Sequence, residues 1–262
     1  MKIRIKFRKY GNLKYIGHLD VQRYFQKAVR RAGIDVAYTT GFSPHQIMSF
    51  AAPLGVGLES NGEYMDMEVH SFAGSEDTIR RLNAAGAEGI EVLSAKVLPK
   101  DAGNAMASVA AAGYTVRFRE GREPSFDWQE QLSAFFAKEN IPVMKETKKS
   151  TLEIDLKPGI FCLERQDDAI YMLLDASSSG NIKPGMVMDA FCAENHDTLA
   201  ENALLITRED TYTNIGTPEK PEFVPLDAIG TDSAAIDGSE LPDAAVVERT
   251  TVSEDNKTET SS

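Results

Sequence analysis

Apolar and polar residues alternate strictly through the first eight positions. Ile3, Ile5 and Phe7 fall on one side, with Lys2, Arg4, Lys6 and Arg8 on the other. This period of two predicts a strand over 2–8. The period then changes. Val21, Phe25, Ala28, Val29 and Ala32 recur at helical spacing and predict a helix over about 18–32, closed by Gly33, which tolerates positive φ. Further strands are predicted at 34–39, in IMSFAAPL and in GEYMDMEVH, then a helix over about 75–86 and a strand over 90–98. Counting 34–39 and IMSFAAPL as one interrupted strand, the order is β-α-β-β-α-β, the ferredoxin-like pattern.

The same order recurs. Residues 113–120 read as a strand, and 127–140 as a helix with Asp127 as its N-cap. PVMKETKK and TLEIDLK read as paired strands, and PGIFCLERQ has no clear pattern. DAIYMLLDA is a strand, KPGMVMDAFCAEN a helix opened by Pro184, and ALLITRED a last strand. The expected fold is α+β: two ferredoxin-like units in tandem, 1–98 and 113–215. They are joined by a linker at 99–112 that holds a short Ala-rich helix. From Gly216 the periodicity stops and the chain turns acidic, so 216–262 is expected to be a disordered acidic tail.

Charge sharpens this division. The net charge of −12 hides a tail at −8, from eleven acids and three bases over 216–262. It also hides a head at +9, from ten bases and Asp20 over 1–33. Arg4, Lys6 and Arg8 on the first strand and Arg23, Lys27, Arg30 and Arg31 on the first helix suggest a basic face for RNA or a protein partner. Tyr10, Tyr15 and Phe42 are available for stacking. No run of about 18 apolar residues exists, so no membrane span is expected, and the N-terminus lacks the apolar stretch of a signal peptide. A cytoplasmic location is expected. Cys162 and Cys192 lie 30 residues apart without a CxxC partner, which suits two buried free thiols rather than a cluster or zinc site.

Two histidines sit in turn-rich motifs, His18 in GHLD and His45 in GFSPH. Gly41 and Pro44 restrict the second loop, and a stiff loop is expected to hold His45 toward His18. With Asp20 the pair would form a candidate acid–base group; alternatively each histidine serves its own turn. Glu59, Glu63 and Asp66 fit either such a site or an exposed turn and strand face. His70 and His196 read as surface residues. No metal or cofactor is expected.

GHLD, RRAGI, GFSPH and PLGVGLES followed by EYMDMEV together resemble the radical-SAM-linked family of unknown function, as do TKKSTLEIDL, GNIKPGMVMDAF and LLITRED downstream. The resemblance covers about residues 1–212. That family more often has Ser at the position of Gly17 and Pro at that of Gln46. The resemblance implies a partner, a radical SAM protein that also carries a cobalamin-binding domain. The leading expectation is an accessory protein acting with that enzyme, with RNA as a further partner. The alternatives are an RNA-processing or RNA-modifying enzyme using His18 or His45, and a small-molecule binding protein.

Overall fold

The computed structural model describes residues 1–146 and 151–237. The chain is α+β and mostly sheet. Its first half runs β1 (Lys2–Lys9), α1 (His18–Arg31), β2 (Met48–Phe50), β3 (Glu59–Glu68), β4 (Ser71–Phe72), α2 (Ser75–Ala84) and β5 (Ile90–Val97). α3 (Ala105–Ser108) lies between the halves. The second half runs β6 (Ala111–Phe118), α4 (Trp128–Phe136), β7 (Pro142–Glu146), β8 (Thr151–Asp155), β9 (Ile160–Gln166), β10 (Ala169–Asp175), α5 (Pro184–Glu194) and β11 (Leu204–Asn214). β12 (Phe223–Pro225) and β13 (Ile236–Asp237) follow.

One sheet carries both halves, in the order β5-β1-β3-β11-β6-β10-β9, with β2 also on β3 and β12 also on β11. β1 pairs antiparallel with β3 and β5, and β2 antiparallel with β3. The second half repeats this: β6 is antiparallel to β11 and β10, and β10 to β9. The halves meet where β3 and β11 run parallel, Glu59 opposite Thr207 and Ser60 opposite Arg208. The approach is close enough that a Cβ on Gly62 would lie 2.5 Å from the Asp210 Cα, which is why a residue without a side chain stands there. The β7–β8 hairpin pairs only with itself and stands off the main sheet.

The alternation in β1 sets the layers. Ile3, Ile5 and Phe7 pack with Val21, Phe25 and Val29 of α1 and Leu82 of α2. A second cluster fills the space between the other half-sheet and α4 and α5, with Met172, Leu174, Val187 and Phe191 at its centre. A third, smaller cluster lies on the opposite face of the first half and joins Tyr64, Ala105, Val109 and Leu226.

Three expectations need correction. The segment 34–39 forms only the isolated pairings Val36 with Val69 and Tyr38 with Gln46, because it folds back on 45–48 instead of running along the sheet. PGIFCLERQ, left without a pattern, forms a strand, β9. The chain from 216 onward is not a disordered tail throughout. Residues 223–237 cross the first half-sheet, with β12 on β11, Thr231 paired to Val97 and β13 paired to β4. Leu226 there is fully buried. The rest of that tail, 238–262, lies outside the described residues. Among the described residues no helix is long and apolar enough to cross a membrane.

Candidate functional site

The basic residues of β1 do not form an open face. Arg4 is 1% exposed and makes a bidentate pair with Asp66, at 2.7 and 3.0 Å. It also donates to the Leu226 carbonyl at 2.8 Å, and Asp66 further accepts from the Ala105 backbone N–H at 2.7 Å. Lys6 donates to Asp210 at 2.6 Å. Tyr64 donates to Asp210 at 2.6 Å and contacts Asp227 at 3.2 Å, while Ser94 donates to Asp227 at 3.0 Å. Arg8 lies over the Tyr10 ring and within 3.5 Å of Glu91. Alternation put these bases on the side away from Ile3, Ile5 and Phe7, as read from the sequence, and in the structure that side is opposite the helices. That side of the sheet is covered over Arg4 and Lys6 by 99–110 and 223–231, while the Arg8 side chain stays 39% exposed. Burial and the Asp66 and Asp210 carboxylates therefore account for Arg4 and Lys6, and Asp66 and Glu63 are buried, not exposed.

The bases of α1 are exposed. Because α1 buries its Val21–Phe25–Val29 stripe on the other side of the sheet, Arg23, Lys27, Arg30 and Arg31 point away from it. The strand and helix bases thus lie on opposite sides of the sheet and make no contiguous patch. The helix bases find different neighbours. α1 and α2 lie side by side with their C-terminal ends together. Arg31 donates to the Ala85 carbonyl beyond α2, at 3.1 and 2.7 Å, and Arg81 donates to the Ala32 and Gly33 carbonyls beyond α1, at 2.9 and 2.6 Å. Each helix end, where the dipole favours cations, is capped by the other helix's arginine. Gly33 takes φ +63° at this crossing. A shallow concavity of about 590 Å3 between the two ends is lined by Arg31, Arg80 and Arg81. Asp20 pairs with Arg23, and Asp77 with Arg80 and Arg81. Arg80 and Arg81 were missed because only the helix pairing brings them beside Arg31.

The two histidines do not share a hydrogen-bonded group. His45 is exposed, and its Nδ1 lies 3.1 Å from Thr39 Oγ1 and 3.4 Å from the Ser43 carbonyl. Gly41 takes φ +117° and Pro44 is exposed in the same loop. His18 instead packs edge-on against Phe50, ring centroids 5.2 Å apart, in a cleft with Phe7, Lys9, Val21, Leu54 and Glu63. Five residues of largely extended chain, roughly 16 Å, separate His45 from Phe50. Asp20 is exposed on α1 and bonds Arg23 at 3.1 Å, not either histidine. Each histidine is therefore held by its own surroundings.

The His18 cleft holds one group that the sequence pointed to only as part of a basic count. Lys9 is 2% exposed, and among the described residues its ammonium donates to the Lys14 and Ile16 carbonyls alone, at 3.5 and 3.4 Å. Burial lowers its pKa below the usual lysine value; nearby Glu63 opposes this and Arg208 adds to it. Glu63 accepts from Arg208 at 2.8 Å, and Arg208 also donates to the Ala52 carbonyl at 3.1 Å. Through this pair the cleft touches the junction of the two half-sheets. Its free space, about 10 Å3, accommodates about one water.

Both cysteines are free. Burial, with Glu164 beside Cys162 and Asp197 beside Cys192, pushes both thiols up to about 11. Among the described residues no group of three or more His, Cys, Asp or Glu side chains is placed to hold a metal ion.

Fold and surface define an α+β protein of one continuous sheet with an arginine- and lysine-bearing helical side. The chain belongs to a family described as an uncharacterised protein conserved in bacteria (DUF2344), whose profile matches residues 2–184. No curated protein matches it.

Proposed function

We propose that the protein is an accessory protein that binds RNA through the outer sides of α1 and α2 and acts with a separate radical SAM enzyme. The observation that carries the RNA reading is the meeting of Arg31 with Arg80 and Arg81 at the shared helix ends, with Lys27 and Arg30 exposed on the same α1. Arg31 and Arg81 are fixed by the carbonyls they cap, so their remaining N–H groups are presented at low entropic cost. Phosphate contacts of this kind give affinity without sequence choice. The partner, a radical SAM protein with a cobalamin-binding domain, rests on the resemblance of GHLD, GFSPH and the downstream motifs. We read each half as a ferredoxin-like unit on the strand orders β5-β1-β3-β2 and β11-β6-β10-β9, with the β7–β8 hairpin as an insertion in the second.

Fluorescence anisotropy with a labelled single-stranded RNA tests this. The affinity should fall steeply with salt through counterion release. The triple variant Lys27→Glu, Arg30→Glu, Arg80→Glu spares the two capping arginines and should weaken binding at least tenfold, with a salt slope shallower by about 2. Unchanged binding would refute the surface. A second reading is favoured by one observation: His18 lines a cleft with a buried lysine and Glu63. RNA turnover by the isolated protein, lost on His18→Gln, would replace the accessory reading with an enzymatic one.

A further inference from the structure

α5 is apolar nearly all round, and only one of its sides is needed for the core. Pro184, Val187, Met188, Phe191 and Cys192 are buried against the second half-sheet. A second stripe, Met186, Ala190 and Ala193, is spaced four and three residues apart and so lies on one side of the helix. This stripe is only partly covered: Met186 and Ala190 rest against the core cluster and Ala193 is exposed. It forms one wall of a groove of about 540 Å3 whose other walls are Phe135 at the end of α4 and Ile141, Val143 and Met144 at the base of the β7–β8 hairpin. A helix apolar on two sides is ordinarily buried on both. Met144 is 65% exposed on the rim.

The charges at the groove point to one kind of occupant. Lys138 is paired with Glu194 across one end. Asp189 lies among the lining residues, and none of the described residues pairs with it. Burial alone raises its pKa. Among the described residues the unpaired charge beside the apolar stripe is therefore negative. Ala190 and Ala193 project little, so another helix axis fits close to α5, and two methionines supply adaptable contact. The β7–β8 wall of the groove has no equivalent in the first half.

We infer that the groove between α4, α5 and the β7–β8 hairpin is a docking site for an amphipathic helix of a partner protein, one bearing an apolar face and a basic residue that meets Asp189. The site lies in the half opposite the arginine-bearing helices and stands independently of the RNA reading.

The test uses the full chain and a fluorescein-labelled helical peptide of leucines and lysines, followed by anisotropy at about 150 mM salt to suppress non-specific charge attraction. Saturable binding at micromolar concentration is expected. Ala193→Trp, which fills the groove without changing charge, and Asp189→Asn, which removes the acid, should each weaken it at least fivefold. Both positions are exposed, and circular dichroism melts check that the variants fold. The Lys27→Glu, Arg30→Glu, Arg80→Glu protein should bind the peptide no less tightly than the parent. Absence of saturable binding, affinity unchanged from the parent in both groove variants, or equal binding of a leucine–glutamate peptide would overturn the inference.

Discussion

Arg4 and Arg30 are both arginines in a basic N-terminal segment, and their surroundings give them opposite tasks. Arg4 donates three hydrogen bonds inside the protein, two to Asp66 and one to the Leu226 carbonyl. Arg30 is exposed on a helix. Alternation in the sequence showed which side of the strand Arg4 occupies. It did not show that the side is covered, because the covering residues come from 99–110 and from beyond 216. The histidines fail differently. Each motif contains the turn features expected of it, but nothing in GFSPH encodes its distance from GHLD. Cys162 offers a direct check at this scale. With its thiol held at about 11 by burial and Glu164, roughly one molecule in a thousand carries the thiolate at pH 8. In a Cys192→Ser background, its alkylation rate should rise about tenfold per pH unit from pH 7 to 10. A plateau near pH 8.5 would show an ordinary exposed thiol instead.

Elements with sustained periodicity were legible and short ones were not. β1, α1, α4, β10 and α5 lie close to where hydrophobic spacing and caps put them, and Asp127 accepts from the Gln129 and Glu130 backbone N–H groups. β12 and β13 have three and two residues, too few to show a period. They lie in an acidic stretch whose average composition hides Val224 and Leu226. Those two side chains fix the segment: Val224 is 1% exposed and Leu226 joins the cluster under Tyr64. Replacing Leu226 with Ala should lower unfolding free energy by about 2–5 kcal/mol, the usual range for a fully buried leucine, measured by urea denaturation with Trp128 fluorescence. A loss under about 0.5 kcal/mol would mean that 223–229 merely rests on the surface.

At the scale of the whole molecule, the repeated strand order joins into one sheet through a short parallel contact between β3 and β11. The Glu63–Arg208 pair and the Lys6–Asp210 pair span that junction. A mixed α+β order was readable from the sequence, but the joining of β3 to β11 in one sheet was not, since a two-residue parallel pairing leaves no pattern in either strand. The same topology sorts the charge. Arg4 and Lys6 on β1 are neutralised within the fold by Asp66 and Asp210, and bases on α1 and α2 face outward. The overall charge of −12 thus coexists with a local basic surface, where phosphate attraction acts over about 8–10 Å at physiological salt. On the proposed reading this helical surface, and not the basic strand, receives RNA. Ultraviolet crosslinking of bound single-stranded RNA, with the modified peptides identified by mass spectrometry, tests it most directly. The account expects crosslinks within residues 23–34 and 76–87 and none within residues 2–9. Crosslinks concentrated on β1, or spread evenly over the chain, would contradict it.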